Sequence, residues 1–376
     1  MGVILYMQLS RKIRLYPTKE QEELFKEFSN TARFAYNESL AFRKQEYENG
    51  NCIGQKECIK HLQDLKYSDY AWLQNTPEAV TKQAIKDLDK AYKKFFKEKK
   101  GFPKFHKRGK TPLSFYQRTD NFRQIDDTHI KITGVKSPVK CKKCKIPDKV
   151  VNTRVKFDGK YWYLSYTYEK QEKTEQLHDK ALGIDLGIKE YVICSDGTVY
   201  GNINKKERVL KLEKRKKRLQ RQVSRKYQMN KQGNKFIKTE NIKKTEQQIR
   251  LIDRKLSNIR DTYVHTVTKQ IVLKRPKAIV IEDLNVKGMM KNRHLSHAVG
   301  QQNFRKTREY LSYKAKLYSI PIIIADRMYP SSKKCSCCGY IKKDLKLRER
   351  VYKCTICGFS EDRDFNASLN LEVLAY

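Results

Sequence analysis

The chain has 376 residues, 39% apolar and 33% charged, with 82 lysines and arginines against 42 aspartates and glutamates, a formal charge of +40. That length accommodates two or three domains with modest cores, and the charge, far above the magnitude of about 2–8 that solubility needs, marks a polyanionic partner. No run nears the ~20 apolar residues of a membrane span, no basic amphipathic helix offers a bilayer-binding face, and the apolar run at 3–7 is too short for a signal peptide.

Residues 8–16 alternate polar and apolar and predict a strand. Pro17 and Thr18 then open a helix, with Thr18 and Gln21 spaced for a capping box. Its stripe is Leu24, Phe25, Phe28, Ala32 and Tyr36, and Gly50-Asn51 ends it. Two further helices are expected at about 54–66 and 76–98, the second burying Val80, Ala84, Leu88, Ala91, Tyr92 and Phe95. A basic loop follows at 96–112. Lys104, Lys107 and Arg108 there suit phosphate, while Phe102, Phe105 and His106 are interleaved for stacking on bases. From 113 to 170 the pattern turns to short strands, including 130–132 and a hairpin of 150–157 and 161–168 around Asp158-Gly159, before a polar linker at 169–179.

The second half opens with a meander: Leu182-Gly183-Ile184-Asp185-Leu186, then 191–194 and 199–200. Two long basic helices are expected at about 204–226 and 238–273. The first is either a nucleic-acid surface or a coiled-coil arm with the seam Leu210, Leu212, Leu219 and Val223. A strand at 278–282, a helix near 300–318, a strand at 320–325 and a final helix at about 365–374 complete the series.

Between those last two elements lies Cys335-x-x-Cys338-Gly339, and, with fifteen residues between Cys338 and Cys354, Cys354-x-x-Cys357-Gly358. Two such knuckles supply the four soft ligands of a tetrahedral zinc site, and an all-sulfur set reads as one structural Zn²⁺. Zinc ligation of this kind points to a reducing, intracellular setting over a disulfide framework, and the expected location is cytoplasmic, nucleoid-associated in a prokaryote. Cys337 reads as a spare thiol, and Cys52, Cys58, Cys141 and Cys144 lack the spacing of a second complete site.

Three acids close the reading. Asp185 and Glu282 end apolar strands, and Asp364 sits just before the last helix. Each has an ordinary role available: a turn, a solvated strand end, a helix cap. If the two strands are parallel neighbours, however, their ends place Asp185 beside Glu282, and the helix can bring in Asp364. Such a cluster of hard oxygens suits Mg²⁺, and a pair of such ions suits phosphodiester hydrolysis.

Taken in order, Ile13-Arg14-Leu15-Tyr16-Pro17-Thr18, Gly101-Phe102-Pro103-Lys104-Phe105, Gly183-Ile184-Asp185-Leu186-Gly187, Ile281-Glu282-Asp283-Leu284, the two cysteine knuckles after Ser331-Ser332, and Asp362-Arg363-Asp364-x-Asn366-Ala367 resemble the TnpB family. These are transposon-encoded RNA-guided nucleases, and the likeness covers nearly the whole chain. One lead-in position, Lys333, departs from the glutamine frequent there. The resemblance implies a mixed multidomain α/β and β architecture. In it, an RNase H-like (RuvC) nuclease domain at 179–330 and 360–376 carries an inserted zinc ribbon at 331–359. A wedge β-barrel at 1–17 and 119–178 holds a helical recognition domain at 18–118.

The resemblance further implies Asp185, Glu282 and Asp364 as the catalytic, magnesium-holding triad for two Mg²⁺. It implies Cys335, Cys338, Cys354 and Cys357 as zinc ligands. Partners would be a guide RNA from the transposon end and double-stranded target DNA next to a short transposon-associated motif, with the protein a monomer on its RNA. Thr81, Lys82 and Gln83 are the expected motif readers, because Lys and Gln address base edges. The alternatives are an RNA-guided regulator that binds without cutting and a conventional RNase H-like transposase.

Overall fold

The computed structural model describes residues 6–120, 122–172, 175–346 and 348–376. Most of the apolar run 3–7 and the centre of the linker 169–179 therefore lie outside the described residues. By contacts the chain divides into two units, residues 6–170 and residues 171–376.

The first unit is a helical layer on a seven-stranded sheet. β1 (Tyr6–Tyr16) leads into α1 (Lys19–Glu48), then α2 (Gln55–Tyr67) and α3 (Glu78–Glu98). Thr18 accepts from the Gln21 backbone N–H at 3.2 Å and Gln21 returns a bond from the Thr18 N–H at 3.1 Å, so the expected capping box forms. Six strands follow: β2 (Ser114–Tyr116), β3 (Arg123–Asp126), β4 (His129–Lys131), β5 (Val139–Cys141), β6 (Val150–Phe157) and β7 (Trp162–Gln171). Their order in the sheet is β2-β6-β7-β1-β5-β4-β3. Phe25 and Phe28 of α1 meet Trp162 and Phe115 of the sheet edge-on, at 5.2 and 5.4 Å between centroids. Such large apolar faces dominate the energetics of a modest core. A second core joins the three helices through Ala35, Leu40, Cys58, Leu62, Ile85 and Leu88.

The second unit is built on a five-stranded mixed sheet. β8 (Leu182–Leu186), β9 (Glu190–Cys194) and β10 (Val199–Gly201) form the meander. A helical hairpin follows, α4 (Glu207–Met229) and α5 (Glu240–Leu273), its tip a small ribbon of β11 (Lys231–Gln232) and β12 (Lys235–Phe236). Val209, Leu219, Ile252 and Leu256 make its seam. Leu210, placed in that seam by sequence, is instead 54% exposed; Val209 takes the position because 3.6-residue periodicity selects only one of two adjacent apolar residues. β13 (Ile279–Glu282), α6 (Val286–Met289), α7 (Ser296–Gln302), α8 (Phe304–Leu317) and β14 (Ile322–Ala325) come next. β15 (Val351–Lys353) and β16 (Ser360–Asp362) pair in the cysteine-bearing region, and α9 (Arg363–Glu372) closes the chain.

The sheet order is β10-β9-β8-β13-β14, antiparallel through β8 and parallel from β8 to β14. Side chains alternate across a pleat. Leu182, Ile184, Ile279 and Ile281 therefore pack with Val264, Val267 and Ile271 of α5 and Leu311 and Ala315 of α8. Gly183, Asp185, Val280 and Glu282 belong to the opposite face, where Val280 packs with Leu371 of α9.

Contact between β8 and α9 is set by Gly183. A Cβ there would lie 2.0 Å from the Ser368 carbonyl oxygen and 2.5 Å from the Glu372 nitrogen. Both are backbone atoms, so relief requires moving the helix. Gly183→Ala is expected to destabilise the unit by about 3 kcal/mol, at the upper end of overpacking costs. It should also displace the Asp364-bearing helix. Thermal melting checks the first effect, and a melting temperature equal to that of the parent would refute it.

Candidate active site

The alternation of the pleat brings the three acids together. β8 and β13 run parallel with Ile184 opposite Ile281, so the next positions, Asp185 and Glu282, are neighbours on the α9 face. Asp364 lies in the first turn of α9. Asp362 caps that helix, accepting from the Asp364 and Phe365 N–H groups at 2.9 and 3.2 Å. Asp364 is thus released from capping and turns its carboxylate toward the cluster.

Electrostatics report the crowding. Burial, then the negative charges of Glu282 and Asp364, hold Asp185 well above the usual carboxylate range, with Arg363 opposing. Burial also raises Glu282, against the hydroxyl bond from Ser331. Arg363 grips Asp364 Oδ1 at 2.9 and 3.1 Å, and Arg350 stands 3.9 Å from its other oxygen. Asp283, beside Glu282, takes no part in this cluster: it pairs with Arg308 at 2.9 Å and with Arg327.

The cysteine site is tighter. The Sγ atoms of Cys335, Cys338, Cys354 and Cys357 all lie within 4.8 Å of one another. The pairs Cys335–Cys357 and Cys338–Cys354 stand at 3.7 and 3.5 Å. A tetrahedron with metal–sulfur bonds of about 2.3 Å has edges of about 3.8 Å, so the arrangement fits zinc. Gly339 and Gly358 adopt φ of +79° and +75°, the left-handed turn each knuckle needs. Backbone N–H groups of Cys357 and Ile356 draw the Cys354 thiol down to about 6, toward the thiolate that binds metal.

Among the described residues no other group of three or more acidic, histidine or cysteine side chains is gathered in this way. The three carboxylates are linked instead through their charges, Glu282 and Asp364 both acting on Asp185 and Asp364 on Glu282. Cys337 is exposed and outside the cluster, and Cys141 is buried beside Cys144, with its thiol pushed up to about 12 by burial and by that neighbour.

Sequence reasoning missed the residues that tie the two sites together. Ser331, which bonds Glu282, is itself held by Asn370, whose Nδ2 donates to the Ser331 and Lys334 carbonyls at 2.9 and 2.7 Å. Asn366 donates to the Lys334 carbonyl at 2.7 Å and accepts from the Ser336 N–H at 3.0 Å. Both asparagines are buried. Their signal was present in Asp364-x-Asn366 and in its helical repeat at Asn370, two amide side chains four apart on the buried face of α9.

The expected nucleic-acid contacts lie in the first unit. Gln83 and Arg108 line one cleft of about 150 Å³. Gln83 donates to Asp87 at 3.0 Å, Lys82 pairs with Glu78 at 2.7 Å, and Thr81 donates to the Glu78 carbonyl at 2.9 Å. Lys104, Lys107 and Arg108 are exposed on the loop after α3. His106 differs from expectation. It stacks on Tyr36 at 3.9 Å, and Asn37 brackets its backbone at 2.7 and 2.9 Å, so its ring anchors the loop.

Comparison with known proteins gives three family matches in succession. Residues 7–52 match a family described as a helix-turn-helix domain, 163–293 one described as a probable transposase, and 304–371 a Cas12f1-like TNB domain. The chain is 28% identical to a putative RNA-guided DNA endonuclease InsQ of Escherichia coli (strain K12), covering 96% of this chain and 90% of that protein. It is 26% identical to a putative RNA-guided DNA endonuclease of Streptomyces pristinaespiralis, covering 96% and 87%. Among solved structures it resembles the Cas12f1 chain of a complex with sgRNA and target DNA, at a TM-score of 0.62 and 16% identity, covering 94% and 83%. That likeness shows a shared fold. The family matches run from residue 7 to residue 371 and the relatives align over nearly their full lengths, so the chain is similar from end to end to proteins described as RNA-guided DNA endonucleases.

Proposed function

We propose that the chain is an RNA-guided endonuclease that hydrolyses phosphodiester bonds of double-stranded DNA beside a short transposon-associated motif. The observation that carries this reading is the meeting of Asp185, Glu282 and Asp364 on one face of the sheet, with the proton affinities of Asp185 and Glu282 raised. Crowded carboxylates of this kind call for a hard dication as countercharge. Bound there, a pair of Mg²⁺ ions supplies an activated water and stabilises the leaving oxygen.

The protein's own share is orientation. Asp185 is fixed by the strand, Glu282 by Ser331, and Asp364 by Arg363 and the Asp362 cap. The five-stranded sheet with α9 on one face and α5 and α8 on the other serves as the RNase H-like, RuvC-type frame. The four cysteines hold a structural Zn²⁺ in a ribbon at 331–359. In the first unit the seven-stranded sheet, which takes in β2 (Ser114–Tyr116) ahead of the expected boundary at 119, plays the wedge barrel, and the three helices the recognition domain. Thr81, Lys82 and Gln83 read the motif duplex, while Lys104, Lys107 and Arg108 hold phosphates. Base pairing to a guide RNA from the transposon end selects the target.

The test is to sequence RNA that co-purifies with the full chain, then offer that complex a matching plasmid with Mg²⁺. A discrete RNA ending in a variable segment, and double-strand breaks that follow that segment, are expected. Heterogeneous RNA, or guide-dependent binding without cutting, would overturn the reading.

A further inference from the structure

The far end of the helical layer of the first unit holds a cleft of about 610 Å³ that the active-site reading does not use. It lies between the end of α1, the start of α2 and the end of α3, within the range of about 300–1,000 Å³ seen for ligand sites. Its walls are aromatic. Tyr92, Phe95, Phe96 and Phe102 form one contiguous cluster, with centroids 5.1–6.3 Å apart. Phe96 is nevertheless 72% exposed, and Tyr47 on the facing helix is 74% exposed. Large apolar rings left in water in this number mark a binding surface.

Charge says what covers it. Lys44 sits over the rings of Phe102 and Phe105, at 5.4 and 5.0 Å from their centroids. From Lys93 to Lys110 the chain carries nine lysines and arginines and a single acid, Glu98. An apolar protein partner or a second copy of a +40 chain would have to be brought against that charge. A nucleic-acid strand satisfies both features, its phosphates meeting the lysines and its bases the rings. Duplex bases are already stacked, so only a single strand offers a free π-face.

We infer that this cleft takes unstacked bases of a single-stranded nucleic acid, with Tyr47, Phe96 and Phe102 as stacking platforms and Lys44 on the backbone. The inference rests on the chain being a nucleic-acid-binding protein. It does not need the active site, because its test reads binding and not cleavage.

Tyr47→Ala with Phe96→Ala should weaken binding of a fluorescein-labelled single strand to the full chain about tenfold or more. Binding of the same sequence as duplex should be unchanged. The slope of log Kd against log salt should also stay fixed, because stacking releases no counterions, whereas Lys44→Met should lower that slope by about one. Phe96→Trp should keep the affinity and Phe96→Leu should lose it, which separates stacking from apolar area. Both altered side chains are exposed, and melting temperatures verify the fold. A loss confined to RNA assigns the cleft to the guide, and a loss confined to DNA assigns it to a displaced strand; both support the proposal. An unchanged single-strand affinity, an equal loss on duplex, or a shift in the mass of the nucleic-acid-free protein, which would make the cleft a self-association surface, would overturn it.

Discussion

Asp185→Ala is expected to cut guide-directed DNA cleavage by about three orders of magnitude or more, equal to about 4 kcal/mol at the transition state. Binding of RNA and target should stay within a few-fold. The reason is positional. Asp185 comes from the central strand of the sheet, next to Glu282 in register, and is the acid whose proton affinity both other carboxylates raise. Its removal takes away the carboxylate on which both other acids act, and the lysines of the first unit are untouched. A second readout distinguishes this from a folding defect. Without divalent ions, the folded state holds the Asp185 proton more tightly than the unfolded chain does. Stability is therefore lost as pH rises through the carboxylate range toward neutrality. Asp185→Asn removes that loss, so its melting temperature in chelator should exceed that of the parent. Added Mg²⁺ should raise the parent's melting temperature and leave the variant's unchanged. Undiminished cutting by Asp185→Ala, or an equal Mg²⁺ response from Asp185→Asn, would end the assignment.

The acid cluster was legible because its carriers are strongly patterned. Ile279–Glu282 and Leu182–Leu186 are apolar runs that end in an acid, and parallel pairing of two such runs leaves little choice about where the acids go. The capping box at Thr18 and the knuckles at 335–338 and 354–357 were equally plain, since spacing alone defines them. The strands at 114–116, 123–126 and 139–141 were not legible. Three or four residues cannot display a period, and these strands exist through pairing with distant neighbours, as Phe115 does with Val155. His106 was misjudged for a related reason: an aromatic among lysines reads as a stacking platform unless a partner such as Tyr36, seventy residues earlier in sequence, has already claimed its face. Ser331, Asn366 and Asn370 were given no role because spacing does not name their partners: Ser331 bonds the Glu282 carboxylate and the asparagines satisfy backbone carbonyls of a segment more than thirty residues away.

Those asparagines support the second large effect. Asn370→Ala is expected to lower cleavage by about 10–100-fold and to speed zinc loss to a chelator, although Asn370 contacts neither the acids nor the sulfurs. Its side chain bonds the Ser331 and Lys334 carbonyls, one residue bearing the hydroxyl that holds Glu282 and the other lying next to the ligand Cys335. Alanine leaves the buried Ser331 carbonyl without that donor, at a cost of about 1–3 kcal/mol. It frees the segment from 331 to 334 to move. Partners that orient ligands typically shift metal affinity or activity by this factor of about 10–100. Coupling is the distinguishing feature. If the asparagine links the two sites, Asn370→Ala should quicken zinc release and lower cleavage together, whereas Ser331→Ala, which removes only the hydroxyl on Glu282, should lower cleavage with zinc release unchanged. Zinc release is read with a colorimetric chelator and needs no active enzyme. Normal zinc retention in Asn370→Ala, or faster release in Ser331→Ala, would show that the ribbon and the acid cluster are held independently.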